Sequence, residues 1–249
     1  MSFFSSLFGK SNKSELAAEL SMLQTDVHSH FIPGIDDGAQ TMDDSLNLIR
    51  HFYESGYKKV ITTPHIMSDA YRNTPEIILG GLEKVRTSLL ENKIDIEIEA
   101  AAEYYIDYDF EQKIDEGKLL TFGKNYVLVE LSFVNAPDNL NHIFFKLQTN
   151  GYKPVLAHPE RYSFWHRNFE KYEEIKDKGV LLQLNINSLT GHYSIDTKKI
   201  AEQMIEKNMI DFLGSDCHHT GHTDLMKQVV FQKSLHKLLG SGKLLNKTL

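Results

Sequence analysis

Two imidazoles stand one residue apart in His28-Ser29-His30, directly after the short start Asp26-Val27. In an extended segment residues i and i+2 share a face, so His28 and His30 can offer two ring nitrogens to one cation. Asp36-Asp37-Gly38 follows, a turn-former carrying two carboxylates. Further along, apolar runs end repeatedly in a ligating side chain: Thr62-Thr63-Pro64-His65, Ala101-Ala102-Glu103, Val127-Leu128-Val129-Glu130, Val155-Leu156-Ala157-His158 and Gly214-Ser215-Asp216-Cys217-His218. Taken singly, each is an ordinary hydrogen-bonded strand end, and Asp-Asp-Gly an ordinary Asx turn. Taken jointly, they supply nitrogen and oxygen donors of the kind that holds divalent ions.

Such convergence requires elements that deliver every strand end to one face. Strand signals appear at Val27, Val60–Thr62, Ile94–Ala102, Tyr126–Leu131, Lys153–Ala157, Val180–Leu184 and Phe212–Gly214. Helical patterns alternate with them over Met42–Glu54, Pro75–Asn92, Asp107–Glu116, Asn139–Asn150, Asn168–Lys178, Asp196–Asn208 and Leu225–Leu239. Repeated β/α units without a linker, in a chain of 249 residues, predict a single TIM-like α/β barrel, whose parallel strands all end at the face where active sites of that fold lie. A doubly wound open sheet is the alternative, but no Gly-rich phosphate loop follows the first strand.

Burying that many carboxylates and imidazoles together costs several kcal/mol for each unpaired charge, and cations offset the repulsion. The donors are too many for one ion, so two or three ions sharing carboxylates fit better, chosen from Mn²⁺, Fe, Zn²⁺ and Mg²⁺. The reaction class this suggests is metal-assisted hydrolysis, with phosphate esters preferred. Arg161, three residues after His158, matches phosphate geometry, or else serves as a surface ion-pair partner.

Composition narrows the field. With Lys+Arg 27 against Asp+Glu 34, the formal charge of −7 and the lack of a basic block argue against nucleic-acid binding. No apolar run approaches the roughly 18–20 residues of a membrane span. Cys217 is the single cysteine, so no internal disulfide forms and a reducing compartment is expected. It has no Cys-x5-Arg loop, which disfavours thiol chemistry and leaves it a buried packing role. Residues 1–24 form an N-terminal extension ahead of a domain at 25–249. Its cluster Phe3, Phe4, Leu7, Phe8 and helical pattern Leu16, Leu20, Leu23 read as a helix packing on the body, or as a membrane-surface or partner-docking arm, and not as a signal peptide.

As a set, His28-Ser29-His30, Asp36-Asp37-Gly38, Thr63-Pro64-His65, Glu103, His158-Pro159-Glu160-Arg161-Tyr162 and Gly214-Ser215-Asp216-Cys217-His218 resemble the PHP (polymerase and histidinol phosphatase) superfamily. More narrowly, the stretch from His28 to Gly38 resembles the bacterial capsular polysaccharide tyrosine-phosphatase family of the CpsB/YwqE type, over about residues 25–240. That resemblance implies a distorted (β/α)7 PHP barrel with a trinuclear site, usually of Mn²⁺. His28, His30, Glu103 and Asp216 would hold one ion; Glu103, Glu130 and His158 a second, with Glu103 bridging; Asp37, rather than Asp36, would join His65 and His218 on the third.

The same resemblance makes Arg161 the phosphate-binding residue and the attacking group a metal-bridging hydroxide held by Glu103. It implies a cytoplasmic phosphatase, membrane-proximal only through its partner, acting on the phosphotyrosine tail of a bacterial tyrosine kinase that governs capsule or exopolysaccharide synthesis. A small-molecule phosphatase of the histidinol-phosphate type and a non-catalytic regulatory binding protein are the alternatives. The extension before Thr25 is longer than the family pattern, and His219 and His222 are expected to be exposed loop histidines or rim residues. Arg72 is a candidate to reach the barrel mouth.

Overall fold

The structure is a computed structural model and describes residues 17–249. Phe3, Phe4, Leu7, Phe8 and Leu16 lie outside the described residues. The first described element is a 3-10 turn at Leu20–Leu23, which buries Leu20 and Leu23 in the main core.

The strands are β1 (Thr25–Asp26), β2 (Lys59–Thr62), β3 (His65–Ile66), β4 (Glu97–Ala100), β5 (Glu103–Tyr105), β6 (Tyr126–Glu130), β7 (Lys153–Ala157), β8 (Leu181–Asn185) and β9 (Phe212–Gly214). The helices between them are α1 (Met42–Glu54), α2 (Pro75–Glu91), α3 (Phe110–Glu116), α4 (Leu140–Thr149), α5 (Glu170–Asp177), α6 (Ile195–Glu206), α7 (Thr220–Val229) and α8 (Lys233–Gly240). All strand pairs are parallel, in the orders β1-β2-β4 and β3-β5-β6-β7-β8-β9.

The two sheets are parts of one ring. β2 continues into β3 past Thr63-Pro64, and β4 into β5 past Ala101-Ala102, with Ala101 N–H donating to Thr62 O at 2.9 Å and Glu103 N–H to Pro64 O at 3.1 Å. Beyond β9 the chain runs beside the extension of β1: Asp216 N–H donates to His28 O at 2.7 Å and His30 N–H to Cys217 O at 3.0 Å. The result is the α/β barrel expected from the repeated units, with the distortion that the family resemblance implies. Beyond the predicted strands at 60–62 and 94–102 the chain adds the short strands β3 and β5, and the predicted helix 225–239 is two helices, α7 and α8, parted at residues 230–232.

Alternation along the strands sorts side chains into two layers. Ile61, Ala101, Leu128, Val155, Ala157 and Phe212 pack inside the barrel, while Val60, Val127, Val129, Leu156 and Leu213 face the helices. Phe122, Tyr126 and Phe212 fill the bottom with mutual ring contacts of 5.1–5.6 Å. Asn246 closes that end: its side-chain N–H groups donate to Thr25 O and Leu213 O, and its carbonyl accepts from Leu213 N–H. The same period carries inward positions up to the opposite mouth, Ile61 to Thr63 to His65, Ala101 to Glu103, Leu128 to Glu130 and Phe212 to Gly214 to Asp216.

Candidate metal centre

All nine predicted ligands meet at that mouth. His28 Nε2 lies 3.2 Å from Glu103 Oε2 and 3.3 Å from Asp216 Oδ1; His30 Nε2 lies 3.5 Å from each of the same oxygens. His158 Nε2 stands 3.2 Å from Glu103 Oε1 and 3.5 Å from Glu130 Oε1. His65 faces Glu103 through Nδ1 at 3.2 Å and Asp37 through Nε2 at 3.6 Å, and His218 Nε2 reaches Asp37 at 3.4 Å. Glu103 is therefore the shared centre, fully buried at the start of β5, which lies between the strands carrying His65 and Glu130.

Backbone departures put several of these side chains in place. His158 directly follows the inward-facing Ala157, so simple alternation would turn it away. It instead takes a left-handed backbone (φ 32°), and Asp216 does the same (φ 49°). Each such conformation costs on the order of 1–2 kcal/mol for a residue with a Cβ and persists where the surroundings enforce it. The Asp-Asp-Gly turn lies directly on His30, and a Cβ at Gly38 would sit 2.2 Å from the His30 carbonyl oxygen. Gly214 likewise gives room for His28 and Gln183.

A second set of side chains orients the donors. His30 donates Nδ1–H to Asp36 Oδ2 at 2.7 Å, and Asp36 also accepts from the backbone N–H of Gly38 and His65. The two aspartates of one turn are therefore divided: Asp36 holds a ring in place, and Asp37 faces His65 and His218. His28 Nδ1 pairs with Gln183 Oε1 at 2.8 Å, and Asn185 donates to Asp216 at 3.1 Å. Gln183 and Asn185 were not foreseen, because β8 ends without a ligand; the polar i, i+2 pair inside an apolar run was the available signal. Glu160, buried against Ser188 and the Asn185 N–H, fixes the turn after His158, and burial pushes its carboxyl up to about 7.

Arg161 leans over the same centre, with Nη1 donating to Asp216 Oδ2 at 2.6 Å and its guanidinium 4.8 Å from the Phe133 ring and 4.2 Å from the Tyr193 ring. Arg72 is exposed and its Nε–H donates to Ser68 O, so no contact carries it to the donors; the neighbouring Tyr71 is the residue stacked on His65, at 5.4 Å and 11°. Cys217 is fully buried, as a packing residue should be. His219 is exposed and caps α7, accepting from Gly221 N–H. His222 is not the expected exposed loop residue: it sits in α7, buried, with Nδ1 accepting from His218 N–H at 3.2 Å, because the helix begins two residues earlier and turns it inward.

The charges in this cluster do not balance by themselves. Burial and the neighbouring Glu103 and Asp216 carboxylates push Glu130 well above the ordinary range. Burial and the Arg161 charge lower His158 to about 4, so its ring is neutral and has a lone pair to give. Against its burial, Glu103 is held well below the ordinary range by His28 and His65. His28 Nε2 and His30 Nε2 face each other at 3.4 Å, and the buried atoms Glu103 Oε2, His65 Nδ1 and His158 Nδ1 have no hydrogen-bond partner. Two nitrogens pointed at one another and crowded carboxylates call for a cation between them. The spacing also fits: bonds of about 2.0–2.2 Å at tetrahedral to octahedral angles put adjacent ligand atoms roughly 3.0–3.5 Å apart. Four overlapping groups each bring their donor atoms within 4.8 Å of one another: His30, Asp37, His65, His218; His28, His30, Asp216; His28, Glu103, His158; and His65, Glu103, Glu130.

The family model described as "Capsular polysaccharide synthesis, CpsB/CapC" matches residues 24–237. The chain belongs to the CpsB/CapC family. Among the relatives, "Tyrosine-protein phosphatase YwqE" of Bacillus subtilis is 30% identical over 195 residues, 78% of this chain and 77% of that protein. "Putative tyrosine-protein phosphatase CapC" of Staphylococcus aureus is 26% identical over 228 residues, 88% of this chain and 89% of the relative. A solved structure from work on YwqE of Bacillus subtilis and CpsB of Streptococcus pneumoniae, described as unique metal-dependent tyrosine phosphatases, superposes with a TM-score of 0.77 at 29% identity, covering 84% of this CpsB/CapC chain and 87% of the other. The histidinol phosphate phosphatase of Lactococcus lactis shares the fold alone, with a TM-score of 0.53 at 12% identity.

Proposed function

We propose that this CpsB/CapC protein is a metal-dependent protein-tyrosine phosphatase. The observation that carries the reading is the convergence of nine candidate ligands, Glu103 among them, on one mouth of the barrel beside an arginine, in a chain whose relatives are named tyrosine-protein phosphatases. His28, His30, Glu103 and Asp216 would hold one divalent ion, Glu103, Glu130 and His158 a second, and Asp37, His65 and His218 a third. Mn²⁺ is the metal the resemblance favours, and the all-oxygen-and-imidazole donor set suits it. When bound, such ions supply Lewis-acid polarisation of phosphoryl oxygens and activation of a water.

The chain's own residues do the rest. Asp36 and Gln183 orient the two imidazoles of the His-x-His pair. Arg161 keeps one donor on Asp216 and offers the remaining fork to the phosphate, where charge builds as the bond to the aryl oxygen breaks. A tyrosine leaving group, with a pKa of about 10, needs less help from a protein acid than an alkoxide does. Hydrolysis yields inorganic phosphate and the free tyrosine side chain. The partner we infer is the phosphorylated tail of a bacterial tyrosine kinase in capsular polysaccharide synthesis, in the cytoplasm. Among the described residues no helix is long and apolar enough to cross a membrane.

The test is turnover of a tyrosine-phosphorylated peptide by wild type and His158→Ala, with metals quantified in both. Loss of turnover and of metal in the variant supports the reading. An intact wild type that binds no metal and releases no phosphate overturns it in favour of a non-catalytic binding protein, and a preference for histidinol phosphate over the peptide overturns the protein-phosphatase assignment.

A further inference from the structure

The imidazoles on either side of Glu130 each carry an aromatic ring. His65 Nδ1 stands 3.8 Å from one Glu130 oxygen and His158 Nε2 3.5 Å from the other. Tyr71 lies on His65 at 5.4 Å and 11°, and Phe133 lies on His158 at 5.7 Å and 17°. Phe133 also faces the Arg161 guanidinium at 4.8 Å. The Phe133 ring and the Tyr71 backbone are held. The Leu131 N–H two residues before Phe133 donates to the buried Tyr162 hydroxyl at 3.0 Å, and Tyr162 packs on Phe133 at 5.6 Å. Met67 N–H donates to Tyr71 O at 2.9 Å, and Asn73 bonds the His65 carbonyl at 2.8 Å.

Phe133 is nevertheless 44% exposed. A preformed, partly uncovered ring beside the arginine is a wall for something apolar that arrives together with an anion. Flat rings prefer offset or edge contacts with other rings, so the matching cargo is aromatic. We propose that Phe133 and Tyr71 are specificity-determining residues that favour aryl over alkyl phosphate monoesters, by packing against the substrate's phenyl ring while its phosphate lies beside His65, His158 and Arg161. The inference rests on the phosphatase reading and names what that site selects.

The experiment compares kcat/KM for phosphotyrosine and for phosphoserine in the metal-loaded wild type and in Phe133→Leu, Tyr71→Leu and Phe133→Tyr. Calorimetric affinities for phenylphosphonate and methylphosphonate provide a readout that needs no turnover. The leucine variants should lower the aryl-to-alkyl ratio about five- to tenfold, mainly through KM, and weaken phenylphosphonate relative to methylphosphonate by a similar factor. Phe133→Tyr should restore the wild-type ratio. Equal losses on aryl and alkyl ligands would reduce Phe133 to a prop for Arg161 and His158 and overturn the proposal, as would unchanged ratios. A wild type inert on every phosphomonoester would instead remove the phosphatase reading, and the phosphonate ratio would then decide the aromatic preference by itself.

Discussion

His30 donates its Nδ1–H to Asp36 at 2.7 Å, and this one bond turns Nε2 toward Glu103 and Asp216. A carboxylate behind a ligating histidine fixes both the tautomer and the ring angle, and its loss typically costs 10- to 100-fold in metal affinity.

Asp36→Asn should therefore weaken metal binding by roughly tenfold or more without removing a ligand. Its neighbour behaves differently. Asp37→Asn takes a donor from the His65–His218 group, so stoichiometry should fall by about one ion, as two or three reduce to one or two. Metal titration followed by elemental analysis separates the two; identical behaviour of the variants would contradict the division of labour within this turn.

Gln183 does for His28 what Asp36 does for His30, through a neutral amide. Gln183→Leu leaves a buried imidazole nitrogen unpaired, and turnover should fall on the order of 10- to 100-fold with reduced metal content. A Gln183→Leu protein with wild-type metal content and rate would mean that the barrel walls alone hold His28.

Chelation should abolish turnover and lower the melting temperature together, because the ions bind the folded chain and not the unfolded one. At a metal concentration a hundred times Kd the stabilisation is about 2.7 kcal/mol. Calorimetry with and without chelator, then with Mn²⁺ restored, checks both effects on one sample. Unchanged melting after complete metal removal would contradict the electrostatic argument for the site.

Arg161→Lys keeps the charge but loses the planar fork. The rate on an aryl phosphate should drop about 100-fold, of the order seen when a transition-state donor is removed, while metal content stays within about twofold. Steady-state kinetics with parallel metal analysis measures this, and a lysine variant at the wild-type rate would assign Arg161 to holding Asp216 only.

At the far end of the barrel, Asn246→Ala breaks buried hydrogen bonds to Thr25 and Leu213. Three backbone groups deprived of this partner should cost about 2–4 kcal/mol of stability, read from urea unfolding. Turnover at low temperature should be affected little, since the residue closes the bottom and the donors lie at the opposite mouth.

Much of the candidate site was legible in the chain because parallel strands end at one face. An apolar run that stops in His, Glu or Asp marks a position there, as at His65, Glu103, Glu130, His158 and Asp216. The single His-x-His strand start and the Asp-Asp-Gly turn completed the set without coordinates. Two things escaped this logic. β8 ends in Gln183 and Asn185, which are amides and not ligands, and Phe133 and Tyr71 lie past strand ends, where no periodicity speaks. His222 was misjudged because a loop and the first turn of a helix look alike when Thr and Gly surround them.

By itself, then, the order of residues determined the alternation of strands and helices, the inward period along each strand and a set of candidate donors at the strand ends, since these depend on local geometry and on side-chain chemistry. Only the closed ring decided which side chains stand behind the imidazoles to orient them and which aromatic rings stand over them. Residues 155 positions apart, such as His28 and Gln183, become neighbours through the pairing of strands, and that pairing is a property of the whole packed barrel rather than of any segment of it.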